Sequence, residues 1–338
     1  MTLDRAGTRH RPAPWFPALP LMFNALVWGT SWWPFRRLLA DGVHPLWATA
    51  FAFTFAAAAI AALRPRAIAQ VWRTPALWVL VLAAGTTNAS FNWAVAIGDV
   101  VRVVLLFYLM PLWTVLLART LLGEPVTPHA GLRVALGVAG AAIVLWPSGA
   151  SGWNALPLPR TLADGLGLLG GFSFALNNVI LRREAAEPGE GRALAMFVGG
   201  AGVAAALATL LSLEQPALWP PALAPRWLTT LLVLTLVLLA GNLALQYGAA
   251  RLPANRAAVI MLTEVLFAAA SSVALGGERL GAPLLVGGAL ILLAAVLAAF
   301  EPARRTAIAR ASAAPPGATI GARHPPRDLH GEPRDPHP

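Results

Sequence analysis

Apolar residues gather along this chain in runs far too long for strands: Pro12–Phe35, Pro45–Leu63, Thr74–Gly98, Val134–Pro159, Ala193–Leu213, Trp227–Ala250 and Leu280–Phe300. About 20 apolar residues, rising about 1.5 Å each, span a bilayer core. Two shorter runs, Val103–Ala118 and Gly165–Leu181, reach that length once the arginines at their ends snorkel to the interface. A tenth run, Ala257–Gly277, is interrupted only by Glu264. The pattern predicts an all-α integral membrane protein with ten transmembrane helices.

Composition agrees. Of 338 residues 57% are hydrophobic and 12% charged, with a mean hydropathy of +0.65. Soluble domains carry about 25% charged residues. A net charge of +10 would point to nucleic acid in a soluble protein, but its distribution points elsewhere. All 25 basic residues are arginine. With the N-terminus inside, 19 fall in segments on the cytoplasmic side and 6 on the other (Arg36, Arg37, Arg102, Arg160, Arg226 and Arg279). Without the remote tail arginines, Arg323, Arg327 and Arg334, the inner count is still 16. This is the positive-inside pattern. It predicts a multi-pass protein of a bacterial inner membrane with both termini cytoplasmic, and no nucleic-acid partner.

The chain has no cysteine, which excludes disulfides, thiolate metal sites and thiol nucleophiles. It has no lysine either, so a G-x-x-x-x-G-K phosphate loop is excluded. Neither a cofactor nor a metal is expected. The first apolar run follows arginines but is too long for a signal-peptide core, and reads as an uncleaved helix. Residues 1–20 form a cytoplasmic N-terminal segment. Residues 301–338, rich in Pro, Arg, His and Ala, read as a disordered cytoplasmic tail.

The chain also repeats itself. A shift of 154 residues lays Leu122-Gly123-Glu124 on Gly276-Gly277-Glu278, Asn88 on Asn242, Asn92 on Gln246 and Arg102 on Arg256. A shift of 146 lays Trp28 on Phe174, Ser31 on Asn177 and Arg36-Arg37 on Arg182-Arg183. Matched Asn, Arg and Glu are scarce in membrane helices, so these coincidences carry weight. Five helices per half put the halves in opposite orientations, the inverted-repeat plan of many secondary transporters.

The order of three motifs is more specific than any one of them. Leu26-Val27-Trp28-Gly29-Thr30-Ser31 lies in helix 1. Tyr108-Leu109-Met110-Pro111-Leu112 and Leu122-Gly123-Glu124 bracket helix 4. Thr263-Glu264 and Gly277-Glu278-Arg279 bracket helix 9. In these the chain resembles the drug/metabolite transporter superfamily, in its EamA-type branch, over 21–147 (repeat 1, helices 1–5) and 163–299 (repeat 2, helices 6–10). The resemblance implies export of small metabolites: amino acids, amines or drug-like amphipathic solutes. Where the family places proline after the helix 9 glutamate, this chain has Val265, so the kink that Pro111 gives helix 4 is not expected in helix 9.

Candidate chemistry lies in polar side chains on apolar helices. Helix 3 carries Gly85, Asn88 and Asn92 on one stripe, and helix 8 repeats it with Asn242 and Gln246. Helix 1 offers Asn24, Trp28 and Ser31; helix 6 offers Ser173, Phe174 and Asn177. Such amides face the bundle interior, because lipid leaves them without partners. Singly they read as interhelical glue, which contributes about 0.6 kcal/mol per bond. As a set recurring in both halves, with Tyr108 and Glu264, they read as the lining of a substrate cavity. Glu264 is the one acid near the middle of a membrane helix, and an intramembrane carboxylate is a functional candidate by default. It could bind a cationic group, carry a coupling proton or serve structure.

The remaining charges have plainer readings. Glu124 and Glu278 read as caps or loop tethers, Arg102 and Arg256 as interfacial snorkels, and His44 and His129 as loop residues. No Lys or Arg is expected deep in a helix, which disfavours phosphorylated substrates. The competing function class is a membrane-embedded enzyme or a non-transporting scaffold. Its only candidate pairs, Asp41 with His44 and Glu124 with His129, lack catalytic spacing.

Overall fold

Proline opens several of the helices. It stands in the first turn of α3 (Pro45–Leu63), α5 (Pro75–Ile97), α7 (Met110–Leu122), α8 (Pro128–Val144) and α14 (Ala282–Ala299), where its missing N–H costs no intrahelical bond. The computed structural model describes residues 18–123, 125–146, 156–183, 189–249, 251–252 and 254–300. The tail 301–338, most of the segment 1–20, Glu124 and the side chains of Arg182 and Gln246 lie outside the described residues.

The other helices are α1 (Ala18–Thr30), α2 (Trp32–Ala40), α4 (Arg66–Arg73), α6 (Val100–Phe107), α9 (Leu162–Arg183), α10 (Gly189–Glu214), α11 (Pro225–Ala249), α12 (Ala254–Met261) and α13 (Thr263–Gly276). No strand occurs among the described residues. Eight helical stretches are long and apolar enough to cross a membrane, counting α6–α7 and α12–α13 as one each. The 17-residue α8 falls just short of that length, and the first apolar run divides into α1 and α2.

The repeat is visible in backbone geometry. Helix 4 is interrupted at Tyr108–Leu109 and helix 9 at Leu262, which is Tyr108 shifted by 154 residues. The helices after these breaks end on Gly123 and Gly277, both at φ +67°. That left-handed cap is one an L side chain rarely adopts.

Four expectations need correction. Helix 1 is not one helix ending at Phe35: it breaks at Ser31 and runs on to Ala40. There the Ser31 hydroxyl and amide both donate to the Trp28 carbonyl, at 2.8 and 3.2 Å, competing with the regular ladder. Helix 9 is interrupted despite lacking the proline. The Thr263 hydroxyl donates to the Ile260 carbonyl at 2.7 Å, giving an acceptor at the break the partner that an interrupted ladder withholds. Helix 5 begins at Pro128, so His129 sits in its first turn and Arg133 is buried in its second. Between α3 and α5 the chain forms α4, a helix of its own.

Small residues set the closest crossings. A Cβ on Gly85 would overlap the Gly199 carbonyl, and one on Gly199 the Val81 carbonyl, so α5 and α10 meet backbone to backbone. Gly140 and Gly287 do the same for α8 and α14, and a Cβ on Gly29 of α1 would come within 2.6 Å of the Glu264 carbonyl oxygen. Such contacts suit a bilayer, where packing rather than water exclusion drives helix association. Large apolar side chains are correspondingly left on the outside: Phe55, Leu82, Leu232, Leu266 and Leu285 are all more than half exposed.

Candidate functional site

The two helix breaks converge on one contact. Tyr108, at the end of α6, donates its hydroxyl to Glu264 Oε2 at 3.0 Å, with the Met261 carbonyl at 3.2 Å from the same oxygen. Glu264 lies in the first turn of α13, where a helix N-terminus favours negative charge. Both side chains are buried, 3% and 7% exposed. Residues from the two repeats thus share one buried hydrogen bond, at the points where both helices lose regularity.

A chain of aromatic rings leads away from Tyr108. Phe107 meets Tyr108 at 6.2 Å, Phe174 at 5.3 Å and Phe91 at 4.9 Å, and Phe91 meets Trp28 at 6.1 Å, edge-on. Asn24 reaches the same region through Met261, its amide 3.6 Å from the sulfur. Of the residues singled out from the sequence, Asn24, Trp28, Tyr108, Phe174 and Glu264 therefore come together. Phe91 and Phe107, which link them, carried no signal beyond being aromatic neighbours of Asn92 and Tyr108.

The remaining candidates divide. Asn92 is fully buried and donates to Thr49 of α3 at 3.1 Å, a bond between helices. The Ser31 hydroxyl is used at the α1–α2 break. Asn88 and Asn242 are half-buried, and each amide donates to its own helix four residues back, to Ala84 at 2.8 Å and Leu238 at 3.1 Å. Those are equivalent positions in the two repeats, and the bonds tie no other helix. Ser173 and Asn177 are buried in α9. The side-chain oxygens of Asn24, Asn92 and Asn177 are buried without a partner among the described residues. Acceptors so placed are uncommon in folded proteins.

A second polar group lies at the end of the bundle holding the C-termini of α2 and α5. Arg102 grips Asp164 through Nε at 2.7 Å and Nη2 at 3.1 Å, and its Nη1 donates to the Val144 carbonyl at 2.9 Å. This corrects the snorkelling expectation: a 2%-exposed aspartate holds the guanidinium, and such two-pronged pairs are both specific and strong. Arg36 meets Glu278 at 3.0 Å and the Gly98 carbonyl, while the Val100 amide donates to both Glu278 oxygens at 3.2 Å. Glu278 is thus a tether, as expected. Arg226 meets Asp41 at 2.6 Å. Each pair joins one repeat to the other. At the opposite end Arg64 meets Glu190 at 3.4 Å, both well exposed, where a pair is worth little.

Electrostatics at this end follow from burial. Desolvation pushes the Asp99 carboxyl above its usual range, and nearby Glu278 adds to the shift; the Arg102 amide and the guanidiniums of Arg102 and Arg36 oppose it. Burial lowers the pKa of His44, so its Nδ1 stays an acceptor for the Leu46 amide at 3.3 Å. His44 is thus an N-cap and Asp41 an ion-pair partner. A cleft of about 660 Å³ opens beside Gly98, Arg102, Trp146, Arg160 and Asp164. A second, of about 490 Å³, lies between the start of α1 and the end of α11, at Phe23 and Tyr247. Neither is lined by Glu264, which is 7% exposed. Among the described residues no group of acids or histidines could hold a metal.

The model of the EamA-like transporter family matches residues 15–146 and 161–300. A solved structure described only as the crystal structure of a protein is similar over 83% of this chain and 95% of its own, with a TM-score of 0.52 and 20% identity; that likeness is one of fold. No curated protein matches the sequence.

Proposed function

The chain belongs to the EamA-like transporter family, and from that premise we propose that it is a secondary transporter that exports small amphipathic or zwitterionic metabolites by alternating access. One observation carries the reading: Tyr108 of repeat 1 and Glu264 of repeat 2 bond at the paired helix breaks. Discontinuous helices meeting at a repeat interface are where secondary transporters place their substrates. A charged carboxylate in an apolar interior needs several partners, and the Tyr108 hydroxyl is the one side-chain donor to Glu264 among the described residues. A proton or a cationic group of the substrate removes the remaining cost, and the rings of Trp28, Phe174 and Phe107 suit an amphipathic body or a cation. The partnerless oxygen of Asn24 adds an acceptor for a substrate amine.

The spans then number ten, five in each inverted repeat, with α1–α2 and α8 completing the eight long ones. The arginine count supports both termini in the cytoplasm. On this reading the end that holds the pairs of Arg36, Arg102 and Arg226 is the outer one, and those pairs hold the two repeats together there. The enzyme reading loses support because Asp41 and His44 are engaged in an ion pair and a helix cap.

Cells overexpressing the protein should tolerate toxic amino acids, amines or drugs of the exported class, and inverted vesicles should accumulate them. Asn88→Leu and Asn242→Leu should each cut that transport about tenfold while folded yield holds, because neither amide ties two helices and an interhelical bond is worth only about 0.6 kcal/mol. Equal loss of yield and transport would return these amides to a packing role. For orientation, cysteines introduced at Ser312 and Gly281 are treated with a membrane-impermeant maleimide in intact cells. Labelling at Gly281 but not Ser312 is expected, and the reverse would invert the topology.

A further inference from the structure

The short helix α4 has three distinct faces. Ala67 and Val71 are buried in a cluster with Leu77 and Leu80 of α5, Ile180 of α9 and Leu194 of α10. Gln70 fits against Gly191 at the start of α10. At about 100° per residue, the exposed Arg66 and Arg73, seven apart, fall about 20° from one another on a second face. Ile68 and Trp72, 42% and 70% exposed, fall on a third. Trp72 also meets Trp78 of the first turns of α5 edge-on at 5.1 Å. One side therefore grips the bundle, one is cationic, and one is apolar and aromatic, with neither of the latter two covered by the described residues.

A helix of about 12 Å that joins two membrane spans and carries such faces lies along the interface. Its aromatic side enters the acyl region and its arginines meet the headgroup layer. We infer that α4 is a binding site for the headgroup of an anionic phospholipid, with Arg66 and Arg73 as the phosphate ligands and Trp72 and Trp78 seated against the acyl chains. Charge complementarity selects this occupant: the site is on the arginine-rich side of the protein, which faces the leaflet where anionic lipids attract basic juxtamembrane segments. Bound lipid would also brace the contact between repeats, because α4 is continuous with α3 and α5 yet rests on α10 of the other half.

The test uses the full chain purified in detergent and titrated separately with phosphatidylglycerol and phosphatidylcholine, counting bound lipid by native mass spectrometry. The wild type should prefer phosphatidylglycerol. Arg66→Gln with Arg73→Gln should weaken that binding about 30-fold, about fivefold for each arginine as expected of a basic residue at an anionic surface, and leave phosphatidylcholine unchanged. Arg66→Lys with Arg73→Lys should keep most of the affinity, which separates charge loss from misfolding. Arg119→Gln, an exposed arginine at the end of α7, should change nothing. The proposal fails if the double Gln variant binds phosphatidylglycerol like wild type, if the Lys variant loses as much, or if Arg119→Gln costs the same. No preference in the wild type would also overturn it, in favour of an acidic polypeptide on this face.

Discussion

Glu264→Gln should leave a folded protein that no longer concentrates its substrate. Glutamine keeps the shape and still accepts the Tyr108 hydroxyl, but it can neither carry charge nor release a proton. A hydrogen bond to a charged group contributes about 1.5–3 kcal/mol, so loss of that interaction should raise the half-saturation concentration about 10- to 150-fold. If Glu264 instead couples a proton, accumulation against a gradient should vanish while downhill exchange survives. Uptake into inverted vesicles, measured with and without a proton gradient, reads both effects. A Gln variant with unchanged affinity and unchanged accumulation would remove Glu264 from the mechanism. Tyr108→Phe supplies the companion measurement. If the carboxyl rather than the phenol meets the substrate, its effect should be the smaller.

Glu278→Gln should open the outer end. Glu278 is 12% exposed and receives both Arg36 and the amide that begins α6, so its charge is engaged with a guanidinium and a helix N-terminus together. Arg36 is 29% exposed, and solvent screening trims the loss to about 1.4 kcal/mol, a tenfold shift between outer-closed and outer-open populations. The chain lacks cysteine, so a single probe can report it. Ala96→Cys, 5% exposed near the outer end of α5, should react with an external maleimide about ten times faster in the Gln background. An unchanged rate would mean that opening does not break this pair. The shift is one of population, so the rate should rise without any change in the final extent of labelling.

Much of the fold could be read from the sequence because spans are a matter of length and hydropathy. The repeat could be read because polar residues are rare enough in membrane helices for a shared spacing to stand out. Glu264 drew attention by the same scarcity. The rotation of each helix was readable only where polar residues marked a face. A soluble helix advertises its inner face by an apolar stripe, whereas in these spans apolar side chains also point outward, so nothing announced that Phe91 and Phe107 face Trp28 and Phe174. Asp164 escaped notice for another reason: it lies 62 residues from Arg102, in a first turn where an acid is ordinary. The role of Asn92 depended on Thr49, a residue with no mark of its own. Helix α4 was hidden by its eight residues, too few to register beside spans of about 20.

The two helix breaks are also held differently. Between α6 and α7 the interruption comes two residues before Pro111, whose ring sets φ and removes an amide for good. Between α12 and α13 no proline stands at the break. The Thr263 hydroxyl bonds the Ile260 carbonyl there, but the hydroxyls of Ser271 and Ser272 do the same inside unbroken α13. The bend of repeat 1 is therefore written into its covalent chain, while that of repeat 2 is left to the packing around it. Tyr108 stands beside the first and Glu264 beside the second, so the hydrogen bond they share joins a bend set by a ring to one set by its neighbours.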